Sequence, residues 1–324
     1  MKKVVASLLT LYCLFFGSVF AFAEPTPRPA LIGWLAISAG PRDPAVQALR
    51  AGLHDLGYIE GRNYRLEHRS ADNHLERLPQ LAEELVRLHV DAILTASPEA
   101  TRAAMQATGT VPIVTVAHND DPVALGFIKS FNRPGGNVTG LTIRNTQLAG
   151  KRLELLKEIM PTLTRVAVFW DSFGGAELEA LKPSAQSLGI QLHPIDLSRS
   201  YDVERAYREA KANKVDAVTV LGSAPLYVRS RNLGELSLEN RLPLIGAYRD
   251  LVVAGAIMSY STDIKDGFYR SAYFVDRLLK GATAAELPFE QTDKVKLVIN
   301  KRAASTLGIQ VPQSILLRAD EVLR

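Results

Sequence analysis

The 324-residue chain is 47% hydrophobic and 22% charged, with a formal net charge of +4 and one cysteine, Cys13. That is enough apolar material for one large or two medium domains held by their cores alone. Without cysteine beyond position 13 there is no disulfide, thiol chemistry or cysteine-held metal, and without a dense Lys/Arg block the basic pI does not point to nucleic acid.

Lys2 and Lys3, the apolar run 4–20 and Ala21-Phe22-Ala23 read in order as the positive region, hydrophobic region and cleavage site of a signal peptide. Residues 1–23 are therefore expected to be removed on export to the periplasm, which lowers the formal net charge to +2. No later run is long and apolar enough to span a bilayer.

The mature chain opens with a strand over 31–37. Asp43-Pro44 then starts an amphipathic helix that runs to 56 and is closed by Gly57, a full set of helix boundary signals. A strand over 64–69, a helix over 75–88 and a buried-type strand over 91–95 follow. Ser97-Pro98 repeats the cap and first-turn pair for a helix to about 107, and a strand covers 111–116. Asp121-Pro122 is expected to open a third helix of the same design.

Pro134, Gly135 and Gly136 disfavour helix, and the spacing places a passage from one folded unit to the next there. Beyond it come strands over 138–143, 165–170, 191–195 and 217–221, separated by helices over 148–159, 176–188 and 203–212. Pro183 is expected to kink or shorten the second of those helices. Ala224-Pro225 opens another helix; 244–245 and 255–260 are strands and 264–279 is a long helix. The stretch 283–294 is polar, and 295–299 leads into a last helix. Alternating β and α units with continuous apolar strands predict an α/β fold of two doubly wound parallel sheets.

In open parallel sheets ligands bind beyond the carboxyl ends of the strands. That rule selects Ser38 and Ala39, Ser97 and Pro98, His118 and Asp121, Asp171, Ser223 and Ala224, and Tyr248. Ser97 and Asp121 also read as helix caps, and His118 also reads as a structural histidine. Tyr227, Tyr248 and Trp34 are rings that either stack on a ligand or pack in the core. There is no phosphate-binding loop, nucleophile elbow or dinucleotide glycine fingerprint. His54, His68, His74, His89, His118 and His193 lack metal-ligand spacing. No catalytic residue, cofactor or metal is expected.

Four stretches carry a resemblance: Gly-Tyr-Ile-Glu-Gly-Arg-Asn at 57–63, Asn-Asp-Asp-Pro-Val-Ala-Leu-Gly-Phe at 119–127, Asn-Arg-Pro-Gly-Gly-Asn-Val-Thr-Gly at 132–140 and Lys-Arg-Leu-Glu-Leu-Leu at 151–156. Ala-Gly-Ala-Ile-Met-Ser-Tyr at 254–260, Leu-Val-Ile-Asn at 297–300 and Gln-Ser-Ile-Leu-Leu-Arg-Ala-Asp-Glu-Val at 313–322 extend it. The chain resembles the periplasmic substrate-binding proteins of ABC importers, in the uncharacterised family that includes tryptophan- and tyrosine-binding members. The resemblance implies a type I periplasmic binding protein whose two lobes, joined by three crossovers, close on a small solute such as an amino acid. It implies a membrane permease and its ATPase as partners and a monomeric protein. The lobes would be 24–136 with about 262–283, and 137–261 with about 293–324. The crossovers would fall at 134–137, near 260–263 and within 283–294. Family members often carry Asp-Pro where this chain has Ala224-Pro225, so an acid for a ligand amine would come from elsewhere, with Asp171 the neighbouring candidate. The same fold also suits a periplasmic sensor that signals to a membrane receptor or kinase, and genes for a permease and an ATPase beside this one would distinguish the two.

Overall fold

Strands that are apolar on both faces need cover on both sides, and the amphipathic helices between them provide it. The computed structural model describes residues 28–324 apart from 39, 41–42, 119–120, 144 and 293. The expected signal peptide lies outside the described residues.

In chain order come β1 (Ala30–Ala36), α1 (Pro44–Asp55), β2 (Tyr64–Ser70), α2 (Leu78–Arg87), β3 (Ala92–Thr95), α3 (Pro98–Ala107), β4 (Ile113–His118) and β5 (Val138–Thr142). Next are α4 (Asn145–Ile159), β6 (Arg165–Trp170), α5 (Gly175–Ser187), β7 (Gln191–Asp196), α6 (Val203–Ala212), β8 (Ala217–Val220), α7 (Ala224–Tyr227), α8 (Ser230–Asn240), β9 (Leu244–Gly246) and α9 (Arg249–Ala254). The chain ends with β10 (Met258–Thr262), α10 (Ile264–Leu279), β11 (Glu290–Gln291), β12 (Val295–Asn300), α11 (Lys301–Thr306), α12 (Gln313–Arg318) and β13 (Glu321–Leu323).

These strands form two sheets, in the orders β11-β5-β4-β3-β1-β2 and β13-β12-β10-β9-β8-β6-β7. The pairings are parallel except β10–β12, which is antiparallel. The fold is α/β with two mostly parallel sheets. In the first, Ile32, Trp34 and Ala36 pack with α1 and α10, while Leu35 and Ile37 pack with α2 and α3. In the second, Val166 and Val168 face α4 and α5, and Ala167 and Phe169 face α6 and α8.

The chain passes between the sheets after Thr142, at Asp263 and between β11 and β12. The first passage lies later than the expected site at 134–137. Pro134 and Gly135 form a loop whose backbone bonds Lys129 and Ala285, and β5 then pairs with β4. The reason is burial: Val138 and Leu141 contribute to the cores on opposite faces of the first sheet.

Two further expectations meet the structure differently. Asp121-Pro122 opens a series of turns and not a helix; Gly126 takes φ +72, which ends any helical run, and Phe127 and Ile128 anchor the segment in the core. Pro183 does not shorten α5, which continues to Ser187 because Leu181 and Ala185 on either side are buried. A helix does open at Ala224, as expected; it is the short α7, followed by a separate α8, and α9, β11 and β13 are additional elements.

Helix α10 returns to the first sheet and packs along α1. A Cβ at Gly52 of α1 would lie 2.5 Å from the Tyr269 carbonyl oxygen and 2.8 Å from Ala272 Cβ. Elsewhere in a helix Gly→Ala gains about 0.5–1 kcal/mol. Gly52→Ala is instead expected to destabilise by about 1–3 kcal/mol. A urea titration that shows the variant more stable than the parent would remove the close approach from the account.

Candidate functional site

The carboxyl ends of the strands in the two sheets face one another across a cavity of ≈ 110 Å³. The first lobe lines it with Trp34, Ile37 and Ser38 around the end of β1, Asp43 before α1, Ser97, Pro98 and Glu99 at the start of α3, and Ile264 and Phe268 of α10. The second lobe lines it with Phe173 after β6, Gly222, Ser223 and Ala224 after β8, Tyr227 of α7 and Tyr248 after β9. Phe173 also packs against the apolar core of the first lobe. Lys265 at the start of α10 pairs with Asp250 of α9 at 2.9 Å.

The polar side chains are set by the local turns. Ser97 caps α3, its hydroxyl accepting from Ala100 N–H at 3.2 Å. Ser223 caps α7 in the same way, accepting from Leu226 N–H at 3.2 Å, and donates to Asp171 Oδ2 at 2.6 Å. Tyr248 donates its hydroxyl to the Ser223 carbonyl at 2.8 Å, and its ring meets Tyr227 edge-on at 5.1 Å. Tyr227 in turn donates to Asp250 at 2.9 Å. The wall after β8 is therefore held from three sides.

Of the residues selected from sequence, Ser38, Ser97, Pro98, Ser223, Ala224 and Tyr248 come together on the cavity. Asp171 does not line it. Fully buried behind Ser223, it accepts from that hydroxyl and from Phe173 N–H at 3.1 Å, so it shapes the wall. Asp121 is exposed and caps its own turn by accepting from Val123 N–H; it too is absent from the lining, because no helix forms to carry it there. Ala39 and the side chain of His118 lie outside the described residues.

The acids on the cavity are Asp43 and Glu99, which the sequence reading passed over. Asp43 reads as a plain helix cap, and it does accept from Ala45 N–H at 2.8 Å. Glu99 reads as an ordinary first-turn acid. The signal that could have found both is their position just after the carboxyl ends of β1 and β3. Burial holds the Asp43 carboxyl above its ordinary range, helped by the charge of Asp250 and opposed by Ala45 N–H and Lys265. The Trp34 indole N–H and Ser38 hydroxyl, both on lining residues, have no hydrogen-bond partner among the described residues. The remainder of the lining is aromatic or aliphatic. This combination suits a compact organic solute with an apolar body and a cationic group. Among the described residues no group of three or more His, Cys, Asp or Glu side chains is placed to hold a metal.

A family model described as ABC transporter substrate binding protein matches residues 34–323. The tyrosine-binding protein of Clostridioides difficile (strain R20291) is 25% identical over 271 residues, which is 83% of this chain and 77% of that protein. The crystal structure of a conserved domain protein from Vibrio cholerae superposes with a TM-score of 0.81 at 30% identity, covering 91% of this chain and 100% of that one. The structure of an ABC domain in complex with L-Trp from Streptococcus pneumonia gives the same TM-score, 0.81, at 23% identity, again covering 91% and 100%.

Burial also raises the pKa of Asp171, against the lowering effect of Ser223 and Phe173 N–H. A carboxyl whose folded pKa lies above its unfolded value contributes stability that is complete below the unfolded value and lost as pH rises through the folded one. Asp171→Asn keeps one acceptor oxygen, enough for Phe173 N–H or for Ser223 but not both, and removes that ionisation. The Tm of the variant is expected to gain on that of the parent as pH rises from about 4 to 8. Calorimetric scans across that range check this; a Tm difference that does not change with pH would refute the role given to burial.

Proposed function

This chain belongs to the family of ABC transporter substrate-binding proteins, and we propose that it is exported to the periplasm and captures an aromatic amino acid or related aromatic amine for a membrane permease. The observation that carries the ligand class is the pairing of two acids, Asp43 and Glu99, with the rings of Trp34, Phe173, Tyr227 and Phe268 around one interlobe cavity. The rings bury the apolar body, and the acids meet the amine. Ser38 and the Trp34 N–H supply donors for a carboxylate. The tyrosine-binding and L-Trp-bound relatives support the amino-acid form of the ligand.

Capture works by closure. The two sheets with their flanking helices are the lobes, and the passages after Thr142, at Asp263 and between β11 and β12 are the hinge. A solute touched by both lobes binds the closed form more tightly than the open one, and that difference shifts the population. The surfaces of the closed lobes then present the solute to the permease, which its cytoplasmic ATPase drives. The signal-like segment 1–23 supports export, and no helix among the described residues is long and apolar enough to cross a membrane.

The test is a thermal-shift and calorimetric comparison of the protein from Glu24 onwards with L-tryptophan, L-tyrosine, tryptamine and indole-3-propionate. A ligand at 100 times its Kd adds about 2.7 kcal/mol of stability. L-tryptophan or L-tyrosine is expected to stabilise, and the amine-free indole-3-propionate is not. Asp43→Asn is expected to weaken binding of the amino acid about tenfold or more, since it removes a charged acceptor. Stabilisation by indole-3-propionate and by none of the three amines would overturn the ligand class.

A further inference from the structure

The Lys-Arg-Leu-Glu-Leu-Leu stretch at 151–156 places an arginine where an apolar residue would ordinarily pack. Leu153, Leu155 and Leu156 of α4 are core residues, and Lys151 lies outside, paired with Glu154 at 2.7 Å. Arg152 between them is fully buried. A guanidinium removed from water carries a large desolvation penalty, which only closely placed partners offset.

Those partners form a chain. One guanidinium nitrogen of Arg152 donates to Glu177 Oε1 of α5, itself 2% exposed, and another donates to the Tyr260 carbonyl of β10 at 3.1 Å. The other oxygen of Glu177 accepts from the backbone N–H of Gly222 at 2.7 Å. Gly222 lies beyond the end of β8 and lines the cavity, followed by Ser223 and Ala224. Tyr260 lies three positions before Asp263, where the chain passes to the first lobe. One buried ion pair thus joins the cavity wall to the strand that leads into a crossing.

We propose that Glu177 is a positioning residue for solute capture: held in place by Arg152, it takes the Gly222 N–H and keeps the Gly222–Ala224 wall in register. This rests on the reading that the solute binds between the lobes. A Lys at 152 would supply one point charge where the planar guanidinium reaches two acceptors on different elements. Glu177 accepts from the buried Gly222 N–H, and an apolar residue at 177 takes that acceptor away from the turn after β8. The wall would then rearrange to find water, and Ser223 and Ala224 would move with it.

The experiment compares two charge-neutral double variants, Arg152→Met with Glu177→Gln and Arg152→Met with Glu177→Leu. Both remove the buried charges together, which avoids a stranded ion. Only the glutamine variant keeps an acceptor for Gly222. Hydrogen exchange is read on the segment spanning Gly222, with β6 as an internal reference for the fold. The expected result is parent-like protection in the glutamine variant and about tenfold or more faster exchange at Gly222 in the leucine variant, with β6 unchanged in both. Binding of L-tryptophan is then measured on the same proteins, and its Kd is expected to rise about tenfold in the leucine variant alone. Equal protection of Gly222 in both variants, or unchanged affinity in the leucine variant, overturns the proposal. A parent protein that binds no L-tryptophan counts against the amino-acid reading only, because the exchange measurement decides the role of Glu177 without a ligand.

Discussion

Leu49 and Leu53 of α1 and Phe268, Ala272 and Val275 of α10 are buried in one apolar seam, closed tightly at Gly52, where any side chain would meet the backbone of the opposite helix. More than two hundred residues separate these helices in sequence, and most of the second sheet is formed in the interval. The apolar face of α10 can be buried only if the chain leaves the second sheet and returns to the first. It must then leave again for β12 to complete the second sheet. The three-stranded connection between the lobes is thus a consequence of where one amphipathic helix finds its cover.

That arrangement brings the carboxyl ends of two sets of parallel strands to face each other. Strand ends present backbone groups that regular pairing no longer satisfies, and caps and buried side chains meet several of them here. Ser97 and Ser223 cap the helices that follow, Tyr248 takes the Ser223 carbonyl, and Glu177 takes the Gly222 N–H. Arg152 and Glu177 form a buried ion pair and do not line the cavity. The cavity itself keeps aromatic surface and two acids, Asp43 and Glu99.

Several parts of this picture were readable in advance. The Asp43-Pro44 and Ser97-Pro98 pairs announce helix starts because a cap oxygen and a missing N–H are purely local chemistry. The strand-end rule gathered Ser38, Ser97, Pro98, Ser223, Ala224 and Tyr248 without any coordinates. The same rule did not separate a lining residue from one behind it. Asp171 and Ser223 both follow strands of the second sheet, and only the turn at Phe173 decides that the carboxylate points at the serine. Asp43 was hidden by its role as a cap, which is satisfied by one carboxylate oxygen and says nothing of what the residue faces. Asp121-Pro122 misled for the opposite reason: the local signal for a helix was overridden by Gly126 and by the burial of Phe127 and Ile128.

What the sequence by itself determined is whatever depends on neighbours a few residues apart: the alternation of strands and helices, their caps, the α/β class and the list of strand ends where a ligand can sit. The family resemblance lies in the same short stretches. What only the tertiary structure decided is everything that joins distant segments. The passage between sheets falls after β5 because Val138 and Leu141 have apolar cover on both faces of the first sheet, a fact no local pattern contains. Arg152 meets its partners Glu177 and Tyr260, 25 and 108 residues away, only when the chain packs. Local chemistry sets the elements; burial, which is a property of the whole packed chain, selects which of their side chains meet.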